Sequence, residues 1–254
     1  MAINRKSVVA VIEARMTSSR LPGKVLLPAG GEPWLQILVK RLRRATVLDR
    51  IVVATTVNAT DDPIVSLAQK IGVAAFRGSE EDVLQRVSDC LATQAADICV
   101  EVTGDCPLAD PAIVTEAVQA FLDVPDCVYV SNSDPHRAVP AGLDVQVFSA
   151  PALLQLGRET TDPADREHVS YGFYRPESRA RWQPRFITHA STVGAEGIWV
   201  SLDYLEDHEL IKALHEDLSA RQPNYGAREI IAWVRAHPEL HERSLKLRPE
   251  WGQP

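Results

Sequence analysis

Apolar and polar positions along this chain alternate between two textures. "SVVAVIEA" (7–14) is a continuous apolar run of strand length, and "WLQILVKRLRRA" (34–45) then places Trp34, Ile37, Leu38, Leu42 and Ala45 at helical spacing. "RIVVATT" (50–56) reads as a strand again. "DDPIVSLAQKI" opens on Asp-Pro, a helix-start signal, and stops before Gly72, as helices commonly do. "VAAF", "EEDVLQRVSDCLAT", "DICVEVT" and "DPAIVTEAVQAFL" continue the alternation. The pattern predicts an α/β fold, a Rossmann-like and mostly parallel sheet with helices on both faces. Ligands bind such sheets beyond the carboxyl ends of the strands, near the point where strand order reverses.

After about residue 125 the texture changes. "DCVYVSNSDPHRAVPAGLDVQVFSAPAL" reads as two strands joined by a turn-rich segment, and "DREHVSYGFY" as one short helix. "RFITHAST" and "IWVSL" read as further strands. "YLEDHELIKALHEDLSA" and "AREIIAWVRAH" read as helices, and "ERSLKLRPEWGQP" as a polar surface strap. With no internal repeat or low-complexity linker, the expectation is one domain over residues 1–254, with residues 125–195 as a strand-containing insertion.

Composition narrows the class without naming it. The 254 residues are 45% apolar and 24% charged, ordinary for a globular chain with a substantial core. No run approaches eighteen apolar residues, and "MAINRKSVVAVIEA" is too short and interrupted for a signal peptide. Cys90, Cys99, Cys106 and Cys127 form no CxxC pair and no zinc spacing. Together these predict a soluble cytoplasmic protein without a membrane partner. Net charge is −7, unevenly spread: residues 1–50 hold ten Lys and Arg against three Asp and Glu, net +7, leaving −14 for the rest. An acidic whole argues against nucleic acid as partner. A basic patch on an acidic body suits a small anionic ligand, although scattered surface charge would look the same.

The basic patch includes the loop after the first strand, "EARMTSSRLPGKVLLPAGGEP". It gathers Arg15, Thr17, Ser18, Ser19, Arg20 and Lys24 where a ligand should lie. It is no Walker P-loop, since Val25 follows Gly23-Lys24 where a Ser or Thr is needed, and no GxGxxG is present. What remains is a loop of hydroxyls, backbone N–H groups and three cations. These could meet a polyphosphate through charge-assisted hydrogen bonds, with Pro22-Gly23 turning Lys24 back.

"AxRMxSxRLPGKxL" after a first strand resembles the nucleotidyltransferases that make CMP-activated sugar acids. With "FRGSEEDVLQRV", "VTGDCPLADP" and "GLDVQVF", the chain is most similar to the branch named for spore-coat polysaccharide biosynthesis protein F, from about Val8 to Leu214. The resemblance implies a GT-A-like fold, CTP as donor, Mg²⁺ as cofactor, a homodimer and a place in polysaccharide biosynthesis. It also implies that the insertion binds the acceptor and carries the dimer contact.

Two aspartates stand out as metal ligands. Asp110 precedes Pro111 and reads as the N-cap of the following helix, which leaves Asp105 at a strand's carboxyl end without a structural task. Mg²⁺ typically takes one or two protein carboxylates plus phosphate oxygens, and the resemblance gives Asp105 this role. It gives Asp203 the same role, although Asp203-x-x-Glu206 also reads as a capping box, and Tyr204-Leu205 departs from the family's usual pair. The resemblance places Arg77 and Ser79 beside the nucleotide; read alone, Ser79 is a helix N-cap followed by acidic residues. Asn132, Asp144, Arg166 and His168 are candidate acceptor contacts, a lone helical His being more often a surface residue.

The expected reaction is CTP plus a small anionic acceptor giving CMP-acceptor and pyrophosphate. Arg15, Lys24 and Asp105 are its candidate catalytic residues. Arg15, Ser18, Ser19, Arg20, Lys24, Arg77 and Ser79 are the candidate nucleotide contacts. Two alternatives stay open: a glycosyltransferase with a nucleotide-sugar donor, though Asp105 and Asp110 are too far apart for an Asp-x-Asp motif, and a non-catalytic nucleotide-binding module. The acceptor's identity is not written in the residues.

Overall fold

The computed structural model describes residues 5–133 and 139–248. The middle of the turn-rich link (134–138) and the end of the expected strap (249–254) lie outside them. The apolar run forms β1 (Val8–Glu13), and a small hairpin of β2 (Pro28–Ala29) and β3 (Glu32–Pro33) leads into α1 (Trp34–Leu42). Then come β4 (Arg50–Thr56), α2 (Asp62–Lys70), β5 (Ala74–Gly78), α3 (Val83–Gln94), β6 (Ile98–Thr103) and α4 (Pro111–Leu122). The later part supplies β7 (Tyr129–Ser131), β8 (Gln146–Ser149), α5 (Ala150–Glu159), α6 (Pro163–Glu167), α7 (Tyr171–Tyr174) and α8 (Arg179–Trp182). It closes with β9 (Arg185–Phe186), α9 (Leu205–Arg221), α10 (Ala227–Ala236) and α11 (Pro238–Leu245).

Seven strands form one sheet in the order β5-β4-β1-β6-β8-β7-β9. β5, β4, β1 and β6 run parallel, and β8 pairs antiparallel with both β6 and β7. Alternate residues of β1 enter opposite cores. Val8, Ala10 and Ile12 pack with α1, α4, α9 and α10, whereas Val9 and Val11 pack with α3, α5 and α7. The fold is therefore the expected α/β sandwich. From β1 the chain moves outward to β4 and β5, then crosses back to β6 on the other side of β1. Strand order reverses between β1 and β6, and the loops after these two strands meet there.

Four local expectations are corrected. Among the described residues "IWVSL" pairs only through a bridge between Trp199 and Ala141; the Val200 and Leu202 N–H groups go to the carbonyls of Ala141 and Asp105, and the Trp199 N–H goes to His241 Nε2. "RFITHAST" is strand only over β9. "DREHVSYGFY" breaks into α6 and α7, because Val169 takes φ 47 and buries its side chain in the core under α3. The start of the expected strap is instead helical as α11, which packs against α9, and Arg248 beyond it is 5% exposed.

Candidate active site

The loop after β1 is tied down before it reaches its cations. Asp61, buried after β4, accepts the Met16 N–H at 2.8 Å as well as the hydroxyls of Thr55 and Thr56. Gly23 donates its N–H to the Met16 carbonyl at 2.8 Å and takes φ 71, a left-handed turn that suits glycine. That turn throws Lys24 back over the ends of β1 and β6, as expected of Pro22-Gly23. On β6's side, Gly104 passes so close to β1 that a Cβ there would sit 2.7 Å from the Glu13 carbonyl. The close approach brings Asp105 level with Lys24.

Lys24 is the centre of the site. Its Nζ donates to Asp105 Oδ2 at 3.0 Å and to Asp203 Oδ1 at 2.9 Å. Asp203 arrives because Leu202 donates its N–H to the Asp105 carbonyl at 2.8 Å. Burial by itself would lower the Lys24 pKa, but the two carboxylates outweigh it and raise it. Burial would likewise raise the Asp203 pKa, yet Lys24, then Arg20 and Arg248, hold it below the usual carboxylate range. Arg20 Nη2 meets Asp203 Oδ1 at 2.7 Å, and Thr103 Oγ1 donates to Asp105 Oδ1 at 2.5 Å.

Asp203 does not cap α9. The oxygen that takes the N–H groups at the helix entry belongs to Asp207, whose Oδ2 accepts from Asp203 and Tyr204 at 2.8 Å each. Asp203 stands one residue outside, free to turn toward Lys24. Asp110 is the cap it was expected to be, its Oδ1 accepting the Ala112 N–H at 2.8 Å. Its other oxygen accepts the N–H of Ala227 at 2.5 Å, so one carboxylate serves the starts of both α4 and α10.

Two cavities share the wall built by this centre. One, about 540 Å³, lies over β1 and is lined by Arg15, Ser18, Ser19, Lys24, Val83 and Arg86 among others. The second, about 620 Å³, lies over β8 and β7, against Ser131, Asp144, Gln146, Trp199, Tyr204 and Arg248 among others. Arg20, Thr103, Asp105 and His168 line both. Of the expected acceptor contacts, Asp144 and His168 therefore reach a cavity. Asn132 is 2% exposed and spends its amide on the Leu143 carbonyl and the Val145 N–H, pinning β7 to β8. Arg166 is engaged with Asp82 and the carbonyls of Gly157 and Thr160.

Arg77 and Ser79 lie off the cavity wall. Arg77 braces the loop after β4 through the carbonyls of Thr56 and Asn58 and the carboxylate of Asp62. Ser79 accepts the Asp82 N–H at 3.0 Å, and Asp82 rather than Ser79 caps α3. The residue of this loop that does reach the phosphate-type loop is Glu80, hydrogen-bonded to Thr17 and 3.7 Å from Arg15. Below the first cavity, burial raises the Glu13 pKa to about 7, and the adjacent Glu101 is raised well above its usual value by burial and by Glu13.

Sequence reasoning missed Arg248, whose guanidinium is bound by Asp207 and lies 4.3 Å from the Trp199 ring centre and 5.0 Å from that of Tyr204. Only its distance along the chain hid it. Among the described residues no group of three or more His, Cys, Asp or Glu converges as a metal cage. The donor set still fits Mg²⁺: two hard carboxylates reach within about 3 Å of one ammonium nitrogen and so face a common point, as an ion shared with phosphate oxygens and water requires.

The family profile described as Cytidylyltransferase matches residues 9–224, from the first strand to the turn after α9. The chain belongs to the cytidylyltransferase family. It is 32% identical over 238 residues to the spore coat polysaccharide biosynthesis protein SpsF of Bacillus subtilis, covering 91% of this chain and 95% of that protein. A solved cytidylyltransferase from Leptospira borgpetersenii superposes with a TM-score of 0.84 at 29% identity, over 93% of this chain and 97% of its own. The CMP:2-keto-3-deoxy-manno-octonic acid synthetase solved with CTP shares the fold, with a TM-score of 0.62 at 19% identity over 82% of this chain and 98% of that one.

Proposed function

We propose that this cytidylyltransferase moves CMP from CTP to a small acidic acceptor, a sugar acid or a related oxyanion-bearing molecule, with release of pyrophosphate. The observation that carries this reading is Lys24 held between Asp105 and Asp203 where the two cavities meet. A nucleotidyl transfer needs its α-phosphorus at such a shared wall, nucleotide on one side and nucleophile on the other. The CTP complex of the fold relative supports the choice of donor. Similarity to SpsF, at 32% identity, supports a role in polysaccharide biosynthesis.

In this reading the triphosphate lies along the loop after β1. Arg15 and Lys24 meet the β- and γ-phosphates, with Ser18 and Ser19 as neutral donors. The acceptor occupies the cavity over β8 and β7, whose wall draws on residues 125–195, Asp144 and His168 among them, and on Arg20, Trp199, Tyr204 and Arg248 from outside that range. Its oxygen attacks the α-phosphorus in line, the bond to the bridging oxygen breaks, pyrophosphate carries that electron pair away, and the proton of an attacking hydroxyl passes to water. Asp105 and Asp203 would hold Mg²⁺, which supplies charge neutralisation at the α-phosphate. The chain's own contribution is positioning and fixed charge, with no covalent intermediate.

The test is pyrophosphate release from Mg²⁺·CTP across a panel of sugar acids and sugar phosphates, with Asp105→Asn as control. The substitution keeps shape and removes one negative charge from the centre. Loss of a single electrostatic group of this kind costs about 10²–10³ in turnover. The expected result is turnover with one class of acceptor and a fall of that order in the variant, which keeps its fold. Near-normal turnover in Asp105→Asn would remove this residue from the reacting centre.

A further inference from the structure

We infer that Arg20 serves the acceptor rather than the leaving pyrophosphate, as the cation that clamps an oxyanion of the acceptor while Asp203 and the Tyr204 ring hold it in place. The inference rests on the function proposed above and adds to it the recognition chemistry of the second substrate.

Position separates the three cations of the loop. Arg15 and Lys24 line the nucleotide cavity alone, whereas Arg20 lines both cavities. The Lys24 side chain is 10% exposed and gives two of its three N–H donors to Asp105 and Asp203; the Arg20 side chain is 51% exposed and touches Asp203 through Nη2. A guanidinium carries five N–H donors in a flat fork, so most of its donors remain to be offered.

The wall behind Arg20 explains why it stands there. Its guanidinium carbon lies 5.5 Å from the centre of the Tyr204 ring, and Arg248 is 5.0 Å from the same ring. Arg248 in turn is 4.3 Å from the Trp199 ring. Rings and cations thus alternate from Trp199 through Arg248 and Tyr204 to Arg20 along the acceptor cavity. Arg248 is the anchor: Nη1 meets Asp207 Oδ1 at 2.9 Å and the Ser244 carbonyl at 3.0 Å, and almost none of it is exposed. The outermost member, Arg20, is the one that presents its charge. Tyr204 therefore has a task in this chain, its ring facing Arg20 on one hand and Arg248 on the other. A flat, half-exposed guanidinium over an aromatic ring beside the reacting centre matches a carboxylate or a phosphate group.

The experiment compares Arg20→Ala with Lys24→Ala, measuring dissociation constants for CTP and CMP with Mg²⁺. Lys24→Ala is expected to weaken CTP at least tenfold more than CMP. Arg20→Ala is expected to leave both within threefold. A selective loss of CTP affinity in Arg20→Ala would place this arginine on the pyrophosphate and overturn the inference. With the nucleotide site saturated by CTP, acetate and inorganic phosphate are then titrated as anion probes. Wild type is expected to bind one of them and Arg20→Ala to lose at least tenfold; which probe binds distinguishes a carboxylate acceptor from a phosphate one. Binding of neither to wild type, or equal binding to the variant, also contradicts the clamp. Tyr204→Leu should mimic Arg20→Ala and Tyr204→Phe should not, since only the ring face is needed. If wild type itself fails to bind CTP, the proposed function fails, an outcome distinct from failure of the clamp.

Discussion

Lys24 is buried to a degree that lysine rarely tolerates, and it stays charged because two carboxylates face it. An ammonium so placed is a poor contributor to stability and a good receiver of phosphate charge. Lys24→Ala leaves Asp105 and Asp203 facing each other without their shared cation. The expected outcome is a loss of CTP affinity larger than the loss of CMP affinity, read by calorimetry with each nucleotide. Equal losses would mean that Lys24 does not meet the β- and γ-phosphates. At this scale the sequence pointed to Arg15, Ser18, Ser19, Lys24 and Asp105 because they follow strand-length apolar runs, whereas Asp203 was reached only through the resemblance. It was silent on Arg248 and gave Tyr204 no task, because the partners of both lie on other elements. Asn132 and Arg166 are polar residues in the right region, yet their hydrogen bonds are spent on the backbone around them.

Elements with one strong period were legible: β1, β4, β6, α1 and α4 lie where alternation and capping put them. The failures share a cause. "IWVSL" has the composition of a strand, but its backbone is taken by the loop at Ala141 and by Asp105, which is how Asp203 is delivered to the centre. The expected cap at Asp203 likewise moved because Asp207 can reach two N–H groups from inside the helix. Asp110 was read as one cap and proves to be two. Asp110→Ala removes hydrogen bonds from the starts of α4 and α10 together. At about 1 kcal/mol for each cap, the loss is about 2 kcal/mol. In a chain of this size that lowers the unfolding temperature by about 4–8 °C. A fall no larger than that of an exposed Asp→Ala control, for example Asp123→Ala, would mean the second helix does not depend on it.

Across the molecule, the parallel half of the sheet and the reversal of strand order beside β1 place the loop cations, Asp105 and Asp203 at one point. The antiparallel half, β8 with β7, supplies the floor of the second cavity. The first half follows from periodicity alone; the second does not, because its strands are short and its contacts come from loops far apart in the chain. The proposed function requires that the cavity over β1 take CTP. Thermal unfolding with Mg²⁺ and each of CTP, UTP, ATP and GTP tests it directly. A ligand at 100 times its dissociation constant stabilises by about 2.7 kcal/mol, on the order of 5–10 °C here. The predicted result is a shift of that order with CTP alone, reduced in Lys24→Ala. An equal shift with another triphosphate, or none with CTP, would contradict it.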